Sequence, residues 1–167
     1  LAGEGNLANL LLRKGDYRAA GPIYERCLAI RERTQGPEHP ETLLTLGNYA
    51  AYQIESDRYA EAEKLYRRCL AGRQRALGPD HPETLTTAQN LARALRKKGA
   101  LSEAESVARS ALADHERVLG PAHPDTYDTM GTLADIVRDR GDAAAAAQLY
   151  GRALAGLSAS PGATHPS

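Results

Sequence analysis

The dipeptide His-Pro occurs four times, at His39-Pro40, His81-Pro82, His123-Pro124 and His165-Pro166, always 42 residues apart. Gly36, Gly78, Gly120 and Gly162 hold the same phase, as do Thr42, Thr84 and Thr126. Leu28, Leu70, Leu112 and Leu154 are also in register, and so are Ala20, Ala62, Ala104 and Ala146. Copies that recur without a single insertion mean one supersecondary unit used again and again, each burying its apolar face on the next. The chain of 167 residues therefore divides into repeats at 1–36 (incomplete at its start), 37–78, 79–120 and 121–160, with 161–167 opening a fifth. It begins with Leu1 rather than Met, so it is expected to be a piece or a processed product, with the array continuing beyond it.

Each repeat is predicted to hold two helices. Pro after His suits the first helical position, where its missing N–H leaves no partner unsatisfied. Glu41, Glu83 and Asp125 follow, in the first turn where the helix dipole favours a negative charge. The first helix should end near Gly15, Gly99 and Gly141, residues able to take a left-handed conformation, with Asp57 standing there in the second repeat. Apolar or small residues at helical spacing, such as Tyr59, Ala62, Tyr66 and Cys69, then carry a second helix to about Leu77. The short connections require antiparallel neighbours. Trp and Phe are absent and Tyr supplies every aromatic, which suits closely packed helices rich in Ala and Leu.

These residues resemble the tetratricopeptide repeat. Asn6-Leu7-Ala8, Gly15-Asp16-Tyr17, Ala20, Tyr24 and Cys27 follow its pattern in the first copy. Asn48-Tyr49-Ala50, Tyr59, Ala62, Tyr66 and Cys69 follow it in the second, and Asn90-Leu91-Ala92, Gly99, Ala104 and Ala111 in the third. The usual period is about 34 residues; a period of 42 with Leu77-Gly78-Pro79-Asp80-His81-Pro82-Glu83-Thr84 resembles the long-repeat variety of kinesin light chains and their relatives. The resemblance implies an all-α solenoid, a right-handed superhelix of stacked antiparallel helix pairs. It also implies a non-enzymatic scaffold that holds a peptide or a partner helix in a concave groove lined by the first helices. Carried over by register, the groove positions are Asn6, Asn9 and Arg13, then Asn48, then Gln89, Asn90, Arg93 and Lys97, then Thr132 and Asp135.

An Asn amide both donates and accepts, so a row of them can pair with the backbone of an extended peptide whatever its sequence. The alternative is that these amides are solvated, or fix the angle between neighbouring helices. Charge should then select the ligand. Arg93, Arg96, Lys97 and Lys98 crowd the first helix of the third repeat, and Asp128, Asp135 and Asp139 that of the fourth. A mixed-charge groove, basic at the third repeat, is one reading; screened charges on a solvated face are the other.

Other classes of function find no support. Lys and Arg together balance Asp and Glu at 21 each, unlike the basic excess of a dedicated nucleic-acid binder. No apolar run is long enough to span a membrane. Two Cys cannot form a disulfide scaffold; Cys27 and Cys69 share one register position with Ala111 and Ala153, so they read as small packing residues in a reducing, cytoplasmic setting. The row of His residues cannot share a metal, because stacked helices set equivalent atoms about 10 Å apart while zinc holds its ligands at about 2 Å. A turn or capping role fits them better. His115 stands where other repeats have Arg31, Arg73 and Leu157 and is expected at the surface. No catalytic constellation, phosphate loop or cofactor motif is present in the sequence. The last helix, Ala143 to Leu157, is apolar around much of its circumference, which predicts self-association through that face. A sensor arm of a larger signalling NTPase and a structural spacer are the alternative roles.

Overall fold

The computed structural model describes residues 2–159; Gly162, His165-Pro166 and the rest of the predicted fifth repeat lie outside them. Among the described residues there are eight helices and no strand: α1 (Ala2–Arg13), α2 (Tyr17–Gln35), α3 (Pro40–Glu55), α4 (Tyr59–Leu77), α5 (Pro82–Lys98), α6 (Leu101–Val118), α7 (Pro124–Asp139) and α8 (Ala143–Ala159). The all-α reading holds. Helices α1 and α2, α3 and α4, and α7 and α8 pack as pairs, while α2 packs on α3 and α6 on α7. The chain forms two compact halves, Leu1–Thr87 and Ala88–Ser167.

Local chemistry sets the helix ends. Gly15, Gly99 and Gly141 follow α1, α5 and α7 with φ of 76°, 87° and 98°, and Asp57 takes φ 57° after α3. The left-handed residue is thus where the sequence places it, at the strain that a Cβ brings to Asp57. The row of His residues caps helices. The Nδ1 atoms of His39, His81 and His123 accept from the backbone N–H of Glu41, Glu83 and Asp125, each at 3.2 Å. This occupies one of the N–H groups that a helix start leaves unpaired. Thr84 and Thr126 fasten the same turn by donating to the carbonyls of Gly78 and Gly120 at 2.9 and 2.8 Å.

The two halves fill their interiors differently. In the first, Tyr24, Tyr49 and Tyr52 form a buried cluster with ring centroids 5.5–5.9 Å apart. Each phenol finds an acceptor: Tyr24 donates to Asn9 at 2.5 Å, Tyr49 to Glu25 at 2.7 Å and Tyr52 to the carbonyl of Tyr17 at 2.9 Å. Burial pushes the Tyr24 phenol up to about 12; burial, then the Glu25 carboxylate, raises that of Tyr49. Gly21 makes room for this cluster, since a Cβ there would lie 2.5 Å from the Tyr52 hydroxyl oxygen. In the second half the buried apolar residues are Leu, Ile, Val, Met and many Ala, with no tyrosine among them.

A buried arginine ties successive helix pairs together in the first half. Arg31 of α2 donates to the carbonyl of Glu41 at 2.6 Å and to the Thr45 hydroxyl at 2.7 Å, and meets the Glu41 carboxylate at 2.9 Å. Arg73 of α4 repeats the arrangement on Glu83 and Thr87 at 3.0, 2.7 and 2.8 Å. His115 holds the equivalent place on α6, and here the sequence reading fails. It is 0% exposed, not a surface residue. Its Nδ1 lies 2.8 Å from the carbonyl of Ala111 and 3.5 Å from the Thr129 hydroxyl, while its Nε2 is buried with no hydrogen-bond partner. The imidazole fills the slot but is too short to span it as the guanidinium does.

Candidate functional site

The first helix of each pair carries the positions singled out in the sequence, and the first half gathers its four. Asn6 and Asn9 of α1 and Asn48 of α3 line one cleft of about 250 Å³, together with Arg31, Glu41 and Leu44. Asn6, Asn9, Leu10 and Arg13 line an adjoining cleft of about 330 Å³. Positions 6, 9 and 13 fall on one side of α1 because residues three and four apart share a helix face; Leu44 and Asn48 do the same on α3. The amides of Asn6 and Asn48 have no hydrogen-bond partner among the described residues. Asn9 accepts the Tyr24 proton through Oδ1, which leaves its NH₂ available. Arg13 is exposed.

Several residues of this surface were missed in the sequence, among them Arg31, Glu41 and Leu44. Arg31 and Glu41 line the cleft as a by-product of their clamp, which only packing reveals. Leu44 is apolar and exposed where the register has Thr86 and Asp128, and that exchange was visible in the repeats themselves.

The second half treats the same register differently. Gln89, expected to face a ligand, is buried and donates to Asp128 at 2.7 Å and to the Thr132 hydroxyl at 3.3 Å. Thr132 is buried too and donates to the carbonyl of Asp128 at 3.1 Å. Both are corrected to internal contacts, because each finds its partner within the fold and neither reaches solvent. Arg96 bridges to Asp135 at 2.7 Å and to Asp139 at 2.5 Å. Asp135 also accepts from Tyr150 and lies 3.3 Å from Arg138. The guanidinium of Arg96, foremost, holds the Asp139 carboxyl below its ordinary range. Burial, and then the hydrogen bond to Asp135, raises the Tyr150 phenol. Of the cations on α5, Arg93 and Lys97 stay exposed and form no ion pair among the described residues, so the basic character of the third repeat narrows to these two. Asn90 is half-buried on the same helix, with its amide unpartnered.

A separate cluster surrounds Glu105, which is buried and pairs with Arg109 and with Arg140. No group of His, Cys, Asp and Glu among the described residues has the arrangement of a metal site. Cys27 and Cys69 are buried and not joined in a disulfide; burial raises the Cys69 thiol, the opposite of what an activated nucleophile needs.

Paired helices, left-handed turns and the phased tyrosines and alanines agree with comparison to known families. The tetratricopeptide repeat family matches residues 1–75, 52–114 and 103–159. The chain belongs to the tetratricopeptide repeat family. Among solved structures, kinesin light chain-like tetratricopeptide repeats of Podosopora anserina superpose with a TM-score of 0.83 at 25% identity, covering 99% of this chain and 79% of that one. A second structure of those repeats gives 0.84 at 25% identity, covering 99% and 78%. BtubC (BKLC) from P. vanneervenii gives 0.84 at 24% identity, covering 98% of this chain and 65% of that one, and shows the shared fold. No curated protein sequence matches the chain. Tetratricopeptide repeats generally mediate contacts between proteins and typically act as non-catalytic scaffolds. No helix among the described residues is long and apolar enough to cross a membrane.

Proposed function

We propose that this chain is a non-catalytic scaffold whose first half grips an extended segment of a partner protein in the cleft between α1 and α3. One observation carries the reading: Asn6 and Asn48 line one cleft with amides that no intramolecular bond occupies. Each can offer a donor and an acceptor to a bound backbone, and the Asn9 NH₂ adds a donor beside them. Leu44 supplies an apolar contact and Arg13, in the adjoining cleft, a cation. On α5, Asn90, Arg93 and Lys97 offer the same chemistry with a basic bias, suited to an acidic ligand residue. A net hydrogen bond is worth about 0.5–1.5 kcal/mol, and micromolar affinity needs about 8. Apolar contact and charge must therefore supply most of the binding and the choice of ligand. Two buried thiols suit a reducing compartment such as the cytoplasm.

A peptide-display screen on the full chain, followed by Asn6→Ala with Asn48→Ala, tests this. Recovered peptides should bind about tenfold more weakly to the double variant, the loss of one to two hydrogen bonds. Unchanged affinity, or no recovered peptide, overturns the cleft and leaves a structural spacer.

A further inference from the structure

In the first half, phenols occupy the places beside Gly21 and Glu25 of α2. A Cβ on Gly21 would meet the Tyr52 hydroxyl, and Glu25 accepts from Tyr49. Two periods of the 42-residue register further on, Glu105 and Arg109 of α6 hold those places, and Ile136 and Leu133 replace Tyr52 and Tyr49. Neither aliphatic side chain has a hydroxyl to offer. A cleft of about 230 Å³ stands here, walled by Glu105 and Arg109 of α6, Val137 of α7, Arg140 and Asp142 of the following turn, and Ala145 of α8. Glu105 is its buried anchor. The side chain is 7% exposed and meets Arg109 through Oε1 and Arg140 through Oε2, in each case at Nη1. The two arginine side chains are 62% and 44% exposed. Neither guanidinium makes another bond among the described residues, so the Nε and Nη2 donors of both are unoccupied. Asp142, the other acid of the cleft, is already in use: its Oδ1 accepts from the Ala145 N–H at 2.9 Å and caps α8.

We propose that this cleft holds the carboxylate of an acidic side chain carried by a partner protein. A guanidinium presents five N–H donors in a planar fork and accepts nothing. Two of them converge here with donors to spare, and both acids of the cleft already have partners of their own. A carboxylate matches such a fork with two parallel, charge-assisted bonds. Glu105 holds both guanidinium groups in place before any ligand arrives. Being buried, it cannot release either arginine without a strongly destabilising loss of charge pairing. Binding therefore pays little to order them. Val137 and Ala145 supply an apolar wall for the methylene groups behind the carboxylate. Glu105 and Asp142 balance Arg109 and Arg140 in charge, which favours a monoanion; a phosphate dianion would meet more repulsion from the two acids. None of the groove positions read from the sequence lines this cleft, so the contact is a second one, independent of the grip proposed for Asn6 and Asn48.

The test is a titration of the full chain at constant ionic strength, followed by NMR through the arginine Nε–Hε signals. The probes are glutamate blocked as its N-acetyl N-methylamide, glutamine blocked in the same way, and inorganic phosphate. Blocked glutamate should move the Arg109 and Arg140 signals together along one saturating curve, with a Kd of about 1–10 mM. Blocked glutamine should not. Arg109→Lys and Arg140→Lys keep a charge beside Glu105 but lose the fork, and each should weaken binding at least about fivefold. Asp142→Asn preserves the cap on α8 and removes a repelling charge, so it should tighten binding about twofold. Circular dichroism checks that the variants fold. If a lysine variant does not, the contrast between glutamate and glutamine on the parent chain, with the tightening in Asp142→Asn, still decides. The proposal is overturned by the absence of a saturable shift, by equal shifts with glutamine, or by folded lysine variants that bind as the parent does. Saturation by phosphate without saturation by blocked glutamate overturns it too.

Discussion

The two halves of this molecule use one repeat frame to opposite ends. The first half, up to Thr87, packs a cluster of three tyrosine rings in its interior, locks its helix pairs with Arg31 and Arg73, and leaves Asn6 and Asn48 open on a cleft. The second half, from Ala88 on, has an aliphatic core and His115 where the arginine belongs. It bonds its cleft-register residues to one another, Gln89 to Asp128 and Thr132, Arg96 to Asp135 and Asp139. The lesson is that register fixes where a side chain stands but not whether it is available. A polar side chain stays unoccupied only where the facing helix offers it no partner.

The largest test of that contrast concerns the clamp. Arg31→Leu should destabilise by about 2–4 kcal/mol, because it strips a buried hydrogen-bond network of its donor. His115→Leu should cost less than about 1 kcal/mol, since the imidazole already carries an unpaired Nε2. Denaturant unfolding of both variants measures the difference; equal losses would break the contrast between the halves.

Next comes the response to alkali. A folded-state pKa raised above the unfolded value contributes stability that is present at lower pH and is lost as pH rises through the folded value. For Tyr24 the window runs from about 10 to about 12, and Tyr49 shifts in the same direction. Stability should therefore fall above about pH 10 by up to about 1.4 kcal/mol per pH unit for each buried phenol. Thermal melts with phenolate absorbance should place this loss in the first half, and Tyr24→Phe should blunt it.

Helix starts offer a third test. Positions 16, 58, 100 and 142 are equivalent; Asp16 and Asp142 cap α2 and α8 by accepting from Ala19 and Ala145 at 3.1 and 2.9 Å, while Arg58 and Ala100 make no side-chain cap. Ala100 has φ −79° and ψ 57°, close to the −84° and 68° of Asp16. Ala100→Asp should thus stabilise by about 1 kcal/mol, read as a rise in Tm.

The smallest effect belongs to Arg96. Its pairs are part-exposed, so Arg96→Ala should cost under about 1 kcal/mol. Asp139, whose carboxyl Arg96 holds low, should titrate at higher pH in the variant, visible by NMR. A depressed carboxyl contributes stability above its unfolded pKa and loses it as pH falls through the folded one, so the variant should also show a weaker acid dependence.

The sequence by itself determined the period, the helix pairs, the left-handed turn residues including Asp57, and the capping place of His39, His81 and His123. All of these follow from contacts a few residues long, whose geometry is set by backbone sterics and hydrogen bonds near in the chain. Only the tertiary structure decided which polar residues face solvent. His115 is buried and Gln89 and Thr132 are occupied because of what stands opposite them, in a neighbouring helix pair 14 to 43 residues away. Asn48 remains open because none of the residues that share its cleft bonds to its amide. Burial of a polar group depends on a partner supplied from elsewhere, and a single-sequence pattern records the group without its partner.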